Sequence, residues 1–108
     1  MKILLADDEA AIREFIQYIL DEHDIHTVCN GTELLDNICN QYDLIITDMT
    51  MPGMDGTNTI REILSKTSTP VLVMSGCMEN YDFSGLNCDR LEKPFIIEDL
   101  KSKVNSIQ

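Results

Sequence analysis

Several side chains able to do metal or phosphoryl chemistry stand directly after short apolar runs. Ile3, Leu4 and Leu5 lead into Asp7, Asp8 and Glu9; Leu44, Ile45 and Ile46 lead into Asp48; Val71, Leu72 and Val73 lead into Ser75. A fourth, less apolar segment around Cys88 to Leu91 leads into Lys93 and Pro94. If these runs are neighbouring strands, the three aspartates Asp7, Asp8 and Asp48 meet at one rim. Two unit charges about 5 Å apart repel by roughly 3 kcal/mol at an effective dielectric of about 20, and three carboxylates make three such pairs. Relief comes from a raised carboxyl pKa or from a bound hard cation, and oxygen donors without Cys or His favour magnesium or manganese. Magnesium is the expected ion on availability. With a metal, the Lys93 ammonium and the Ser75 hydroxyl, the rim becomes a pocket for a phosphoryl group, whose transfer needs positioning and charge neutralisation. The expected nucleophile is a carboxylate, because no histidine lies near Ser75 in sequence to activate it. Asp48 is the candidate, since the adjacent Asp7 and Asp8 are better placed to grip the ion.

Each residue has an ordinary explanation when taken alone. Asp7, Asp8 and Glu9 suit helix capping and the positive end of a helix dipole. Asp48 precedes a turn with Pro52 and Gly53 at its central positions, as in type II. Ser75 fits a cap and Lys93 a solvated charge. Chance accounts poorly for all of them falling at strand ends.

The apolar runs lack alternation, as strands buried on both faces do. Less apolar strands are expected at His26 to Cys29 and Cys88 to Leu91. Between them lie helical stripes: Ile12, Phe15, Ile16, Ile19 and Leu20; Leu34, Leu35 and Ile38; Ile60, Ile63 and Leu64; and finally Leu100, Val104 and Ile107. Alternating strands and helices predict an α/β fold with a doubly wound parallel sheet. Ligands of such sheets sit beyond the carboxyl ends of the strands, where the reactive residues fall. The stretch from Gly76 to Asn87 is polar, has two glycines and shows little helical period, so no full helix is expected there.

The 108 residues suit one domain, 1–108, and the 44% hydrophobic content suffices for a core. Nineteen acidic against eight basic residues give a net charge of −11, which opposes direct nucleic-acid binding. No apolar run is long enough to span a bilayer and Met1 opens no signal-peptide pattern, so membrane insertion is not expected and a cytoplasmic location is. Cys29, Cys39, Cys77 and Cys88 show no zinc or C-x-x-C spacing and are expected to be reduced core thiols. His23 and His26 are expected at a loop or strand edge.

In order along the chain, LLADDE at Leu4–Glu9, IITDMTMPGMDG at Ile45–Gly56, VLVMSG at Val71–Gly76 and EKPF at Glu92–Phe95 resemble the receiver domain of two-component response regulators, over essentially the whole length. The resemblance implies five strands in the order 2-1-3-4-5. It implies phosphorylation of Asp48 by a histidine kinase or histidine phosphotransfer protein, with magnesium held directly by Asp8, Asp48 and the Thr50 carbonyl and by Asp7 through water. Lys93 would contact the phosphoryl oxygens, Ser75 would swing in to bond the phosphoryl group and move the following loop, and Gly76 would leave room. A cis bond between Lys93 and Pro94 is a further expectation.

Two features depart from the family's pattern. Arg90 stands three before the lysine, where an aromatic is usual, and the interval from Ser75 to Lys93 is shorter by about one helical turn. Both fall on the face that family members use for partners. With no attached output domain in these residues, signalling is expected to pass through a downstream protein or onward phosphotransfer. The alternatives are a pseudo-receiver acting as a phosphorylation-independent interaction module, and an enzyme on a related sheet. An aspartate-nucleophile phosphatase wants an Asp where Thr50 stands, and a flavin phosphate would meet acidic residues rather than a Gly/Ser-rich loop.

Overall fold

The computed structural model describes residues 1–107. Strands β1 (Lys2–Ala6), β2 (Asp24–Val28), β3 (Leu44–Asp48), β4 (Val71–Ser75) and β5 (Asp89–Glu92) alternate with helices α1 (Ala10–Ile19), α2 (Gly31–Asn37) and α3 (Gly56–Lys66), and α4 (Ile97–Ile107) closes the chain. All neighbouring strands pair in parallel in the order β2-β1-β3-β4-β5. This is the expected doubly wound sheet.

The central strands β3 and β4 are buried at every position. Side chains of β1, β3 and β4 alternate between two hydrophobic layers: Leu4, Ile45, Val71 and Val73 face α2 and α3, whereas Ile3, Leu5, Ile46 and Leu72 face α1 and α4. Continuous apolar runs follow from that two-sided burial. Ile45 is fully buried at the second position of β3. Ile45→Ala is expected to cost about 3 kcal/mol and lower Tm by about 15 °C, read by thermal and urea unfolding.

Edge strands explain the fainter signals. β2 and β5 each have one neighbour, and β5 buries only Leu91. β2 starts and ends slightly earlier than His26–Cys29. Between β4 and β5 only a 3₁₀ turn forms, Met78–Asn80, with Phe83 buried against the α2/α3 layer. The helical stripe of α1 is narrower than expected. Ile16, Ile19 and Leu20 are buried, but Phe15 is 41% exposed. The cysteines are free as expected but are not core residues: Cys29, Cys39 and Cys77 are exposed and Cys88 is half-buried. The buried layers are filled by Ile, Leu, Val and Met instead. His23 meets the N-terminal amine through Nδ1 at 2.8 Å, and His26 on edge strand β2 pairs with the Tyr42 hydroxyl.

Candidate metal centre

Parallel strands all end at the same rim, and strand register decides which side chains share it. Asp48 is the last residue of β3 and pairs with Met74, one residue before Ser75. Asp7 follows β1 and donates its amide to the Val28 carbonyl at 3.2 Å, tying the acidic turn to the end of β2. Asp7, Asp8 and Asp48 each place a carboxylate oxygen within 4.8 Å of the other two. Asp7 and Asp48 are buried and Asp8 is exposed, so the cluster has a buried floor and a wet mouth.

Capping explains little of this arrangement. Glu9 holds the N-cap position of α1 without a side-chain cap bond. One Asp7 oxygen, Oδ1, accepts the Glu9 amide at 2.9 Å, which orients Asp7 and leaves Oδ2 to the rim. The Met51 to Met54 turn forms as expected, with the Met54 amide donating to the Met51 carbonyl at 3.2 Å and Gly53 at φ 83°.

Lys93 is no solvated charge. Its side chain is 19% exposed, and its Nζ lies 3.1 Å from Asp7 Oδ2 and 3.6 Å from Asp48 Oδ1. Its own amide donates to the Ser75 carbonyl at 2.9 Å, and the Lys93–Pro94 bond is cis. The ammonium is a source of charge relief additional to the raised pKa or cation expected from the residues. Three carboxylates against one ammonium leave a formal surplus of two negative charges, which one divalent cation balances. The donors are oxygens only, on a partly open cluster, and fit a hard ion that keeps several waters.

The two oxygens of Asp48 differ. Oδ1 accepts the Met49 amide at 2.8 Å and faces Lys93, while Oδ2 has only a long 3.4 Å approach from the Thr50 hydroxyl. Thr50 therefore reaches the site through its side chain as well as standing beside it in sequence. Ser75 is fully buried at the same rim, where its Oγ accepts the Cys77 amide at 3.0 Å. That bond uses one lone pair of the hydroxyl oxygen and ties Ser75 to the loop after β4. An added Cβ at Gly76 would meet the Lys93 carbonyl oxygen at 4.0 Å, an ordinary contact.

Arg13 is a site neighbour the sequence reading passed over. Its guanidinium donates to the Asp7 carbonyl at 2.8 Å, clamping the turn that carries Asp7 and Asp8. A basic residue within the first turns of a helix that follows an acidic pair was the available signal. Arg90 is exposed on β5 with its guanidinium 5.4 Å from the centre of the Phe83 ring, a contact that ties β5 to the short β4–β5 segment. Cys29 hydrogen-bonds Glu33 through Sγ at 3.1 Å, which raises the thiol pKa and disfavours a reactive thiolate.

The response regulator receiver domain model matches residues 3–105. Response regulator ArlR of Staphylococcus aureus is 31% identical over 113 aligned residues, covering 98% of this chain and 52% of that protein. The chain thus spans about half the length of the curated relatives it matches. Among solved structures, a Francisella response regulator receiver domain has 35% identity and TM-score 0.86, with 98% of this chain and 94% of that one covered. Chemotaxis response regulator CheY4 of Vibrio cholerae shares the fold at TM-score 0.86 and 24% identity, covering 99% and 98% of the two chains. With the acidic rim, the lysine and the strand order in one frame with these matches, the chain belongs to the receiver domain family of response regulators.

Proposed function

We propose that this chain is a phosphoacceptor switch or relay, taking a phosphoryl group on Asp48 from a phosphohistidine of a kinase or phosphotransfer protein. Receiver domains are signalling modules of two-component systems rather than conventional enzymes, and they generally bind magnesium. The observation that carries the reading is the cluster of Asp7, Asp8 and Asp48 within 4.8 Å with the Lys93 ammonium against two of its members.

In the proposed reaction an oxygen of Asp48 forms a bond to phosphorus as the phosphorus–nitrogen bond of the donor breaks, and the released imidazole takes a proton. A magnesium ion would be held by Asp8, Asp48 and the Thr50 carbonyl, with Asp7 acting through water, and would supply charge neutralisation for the phosphoryl oxygens. Lys93 adds a second positive charge from the side of β5. Ser75 gives up its bond from the Cys77 amide to reach the phosphoryl group, and the loop after β4 follows. Thr50 stands where an aspartate-nucleophile phosphatase would need its second carboxylate, which argues for a phosphoacceptor over a phosphatase on this sheet. The proposed location is cytoplasmic, with a downstream protein reading the phosphorylated form; among the described residues no helix is long and apolar enough to cross a membrane.

The test is incubation with acetyl phosphate and magnesium. One added phosphoryl group by mass is expected, lost when EDTA replaces the metal. Magnesium at 100 times its dissociation constant should add about 2.7 kcal/mol of stability. An unlabelled protein that magnesium stabilises would favour the pseudo-receiver reading, whose structural motive is the exposed Arg90 at the position of the usual aromatic.

A further inference from the structure

The junction between β2 and α2 contains none of the candidate metal ligands, yet it touches both loops that do. On one side the Val28 carbonyl accepts the Asp7 amide at 3.2 Å. On the other the Gly31 amide donates to the Pro52 carbonyl at 2.7 Å, in the turn that follows Asp48 and Thr50. The contact at Gly31 is backbone against backbone. A Cβ at position 31 would lie 2.3 Å from the Gly53 carbonyl oxygen and 2.9 Å from the Met54 nitrogen, atoms that cannot rotate aside. The reverse approach is also tight, since a Cβ on Gly53 would stand 3.0 Å from the Gly31 nitrogen.

The junction is itself held. Asn30 Oδ1 accepts the Glu33 amide at 2.8 Å, and Glu33 Oε1 accepts the Cys29 amide at 3.1 Å, two bonds that together fix the start of α2. Residues 28–31 therefore act as a spacer of set length between the Asp7–Asp8 turn and the Thr50–Gly53 loop.

We propose that Gly31 is a positioning residue of the metal site, setting the distance between the two oxygen-bearing loops by admitting the Pro52–Gly53 turn to backbone contact. This rests on the phosphoacceptor reading above. A side chain at 31 pushes the turn outward, carrying the Thr50 carbonyl away from Asp8 while every carboxylate stays in the chain. Removing support one step behind a metal ligand costs on the order of 10-fold or more in metal affinity.

The experiment compares magnesium dissociation constants of the wild type and Gly31→Ala by calorimetry on the folded, metal-free proteins. A dissociation constant raised about tenfold or more in Gly31→Ala supports the inference, and one within twofold of wild type overturns it. A merely structural glycine would lower the metal-free Tm without changing the affinity of the folded fraction. If Gly31→Ala does not fold, wild-type hydrogen exchange decides. Saturating magnesium should slow exchange of the Gly31 amide more than that of Ile45, and equal slowing of both overturns the proposal. Wild-type protein that binds no magnesium sinks the phosphoacceptor reading itself, which separates the two failures.

Discussion

Asp48→Asn is expected to reduce phosphoryl incorporation from acetyl phosphate to background, a loss of at least about a thousandfold, because an amide oxygen lacks the charge that makes the carboxylate a nucleophile. The same change should make the metal-free protein slightly more stable. Asp48 sits within 4.8 Å of two other carboxylates and 3.6 Å from Lys93 Nζ. At an effective dielectric of about 20, two repulsions of about 3 kcal/mol each outweigh one attraction of about 4.5 kcal/mol, leaving a gain of about 1–2 kcal/mol. Adding magnesium should reverse the order, since the wild type binds it more tightly. Urea unfolding in EDTA and in magnesium, together with intact-mass measurement, checks both parts. Persistent labelling of the Asn variant would move the acceptor elsewhere. A variant less stable than wild type in EDTA would show that Asp48 is held mainly by its bonds from the Met49 amide and Lys93.

Lys93→Ala should have the opposite effect on the metal-free state. Its ammonium is the one positive charge within 4 Å of the buried Asp7 and Asp48 carboxylates among the described residues. Breaking a buried pair by removing one partner costs about 3–5 kcal/mol, and with 19% of the lysine side chain in contact with water the expected loss is about 2–3 kcal/mol. Magnesium restores much of it, because the ion replaces the missing charge, and its affinity should rise as a competing cation is gone. Phosphorylation falls sharply all the same, since the ammonium that faces the phosphoryl oxygens is absent. Stability in EDTA against magnesium distinguishes this from a surface lysine, whose removal would change neither by more than about 1 kcal/mol.

The fold was legible where burial is two-sided. The runs at Ile3–Leu5, Leu44–Ile46 and Val71–Val73 are continuous because both layers of helices cover them, and they became β1, β3 and β4. Legibility fell at the edges. β2 and β5 have one neighbour each and mixed side chains, so their limits shifted by a residue or two. Phe15 matched the helical period of α1 yet stands exposed beside a cleft of about 470 Å³ lined also by Ile12, Gly76, Lys93, Pro94 and Phe95. Period alone says which residues share a helix face, while the position of the neighbouring loop decides how far the cover extends. The cysteines were misplaced for a related reason: a small apolar side chain is welcome in a core but not required there.

What the order of residues determined by itself was the set of groups delivered to one rim, because parallel strands buried on both faces must all end there and each apolar run is followed by its reactive residue. Tertiary structure decided how those groups are balanced and spaced. Lys93, 86 residues from Asp7 along the chain, supplies the counter-charge at 3.1 Å. Gly31 sets the gap between loops by a contact with Pro52 and Gly53. Ser75 turns its hydroxyl to Cys77. Coulomb energies and backbone clearances change over distances of an ångström, and local sequence carries no ruler of that fineness between segments far apart in the chain.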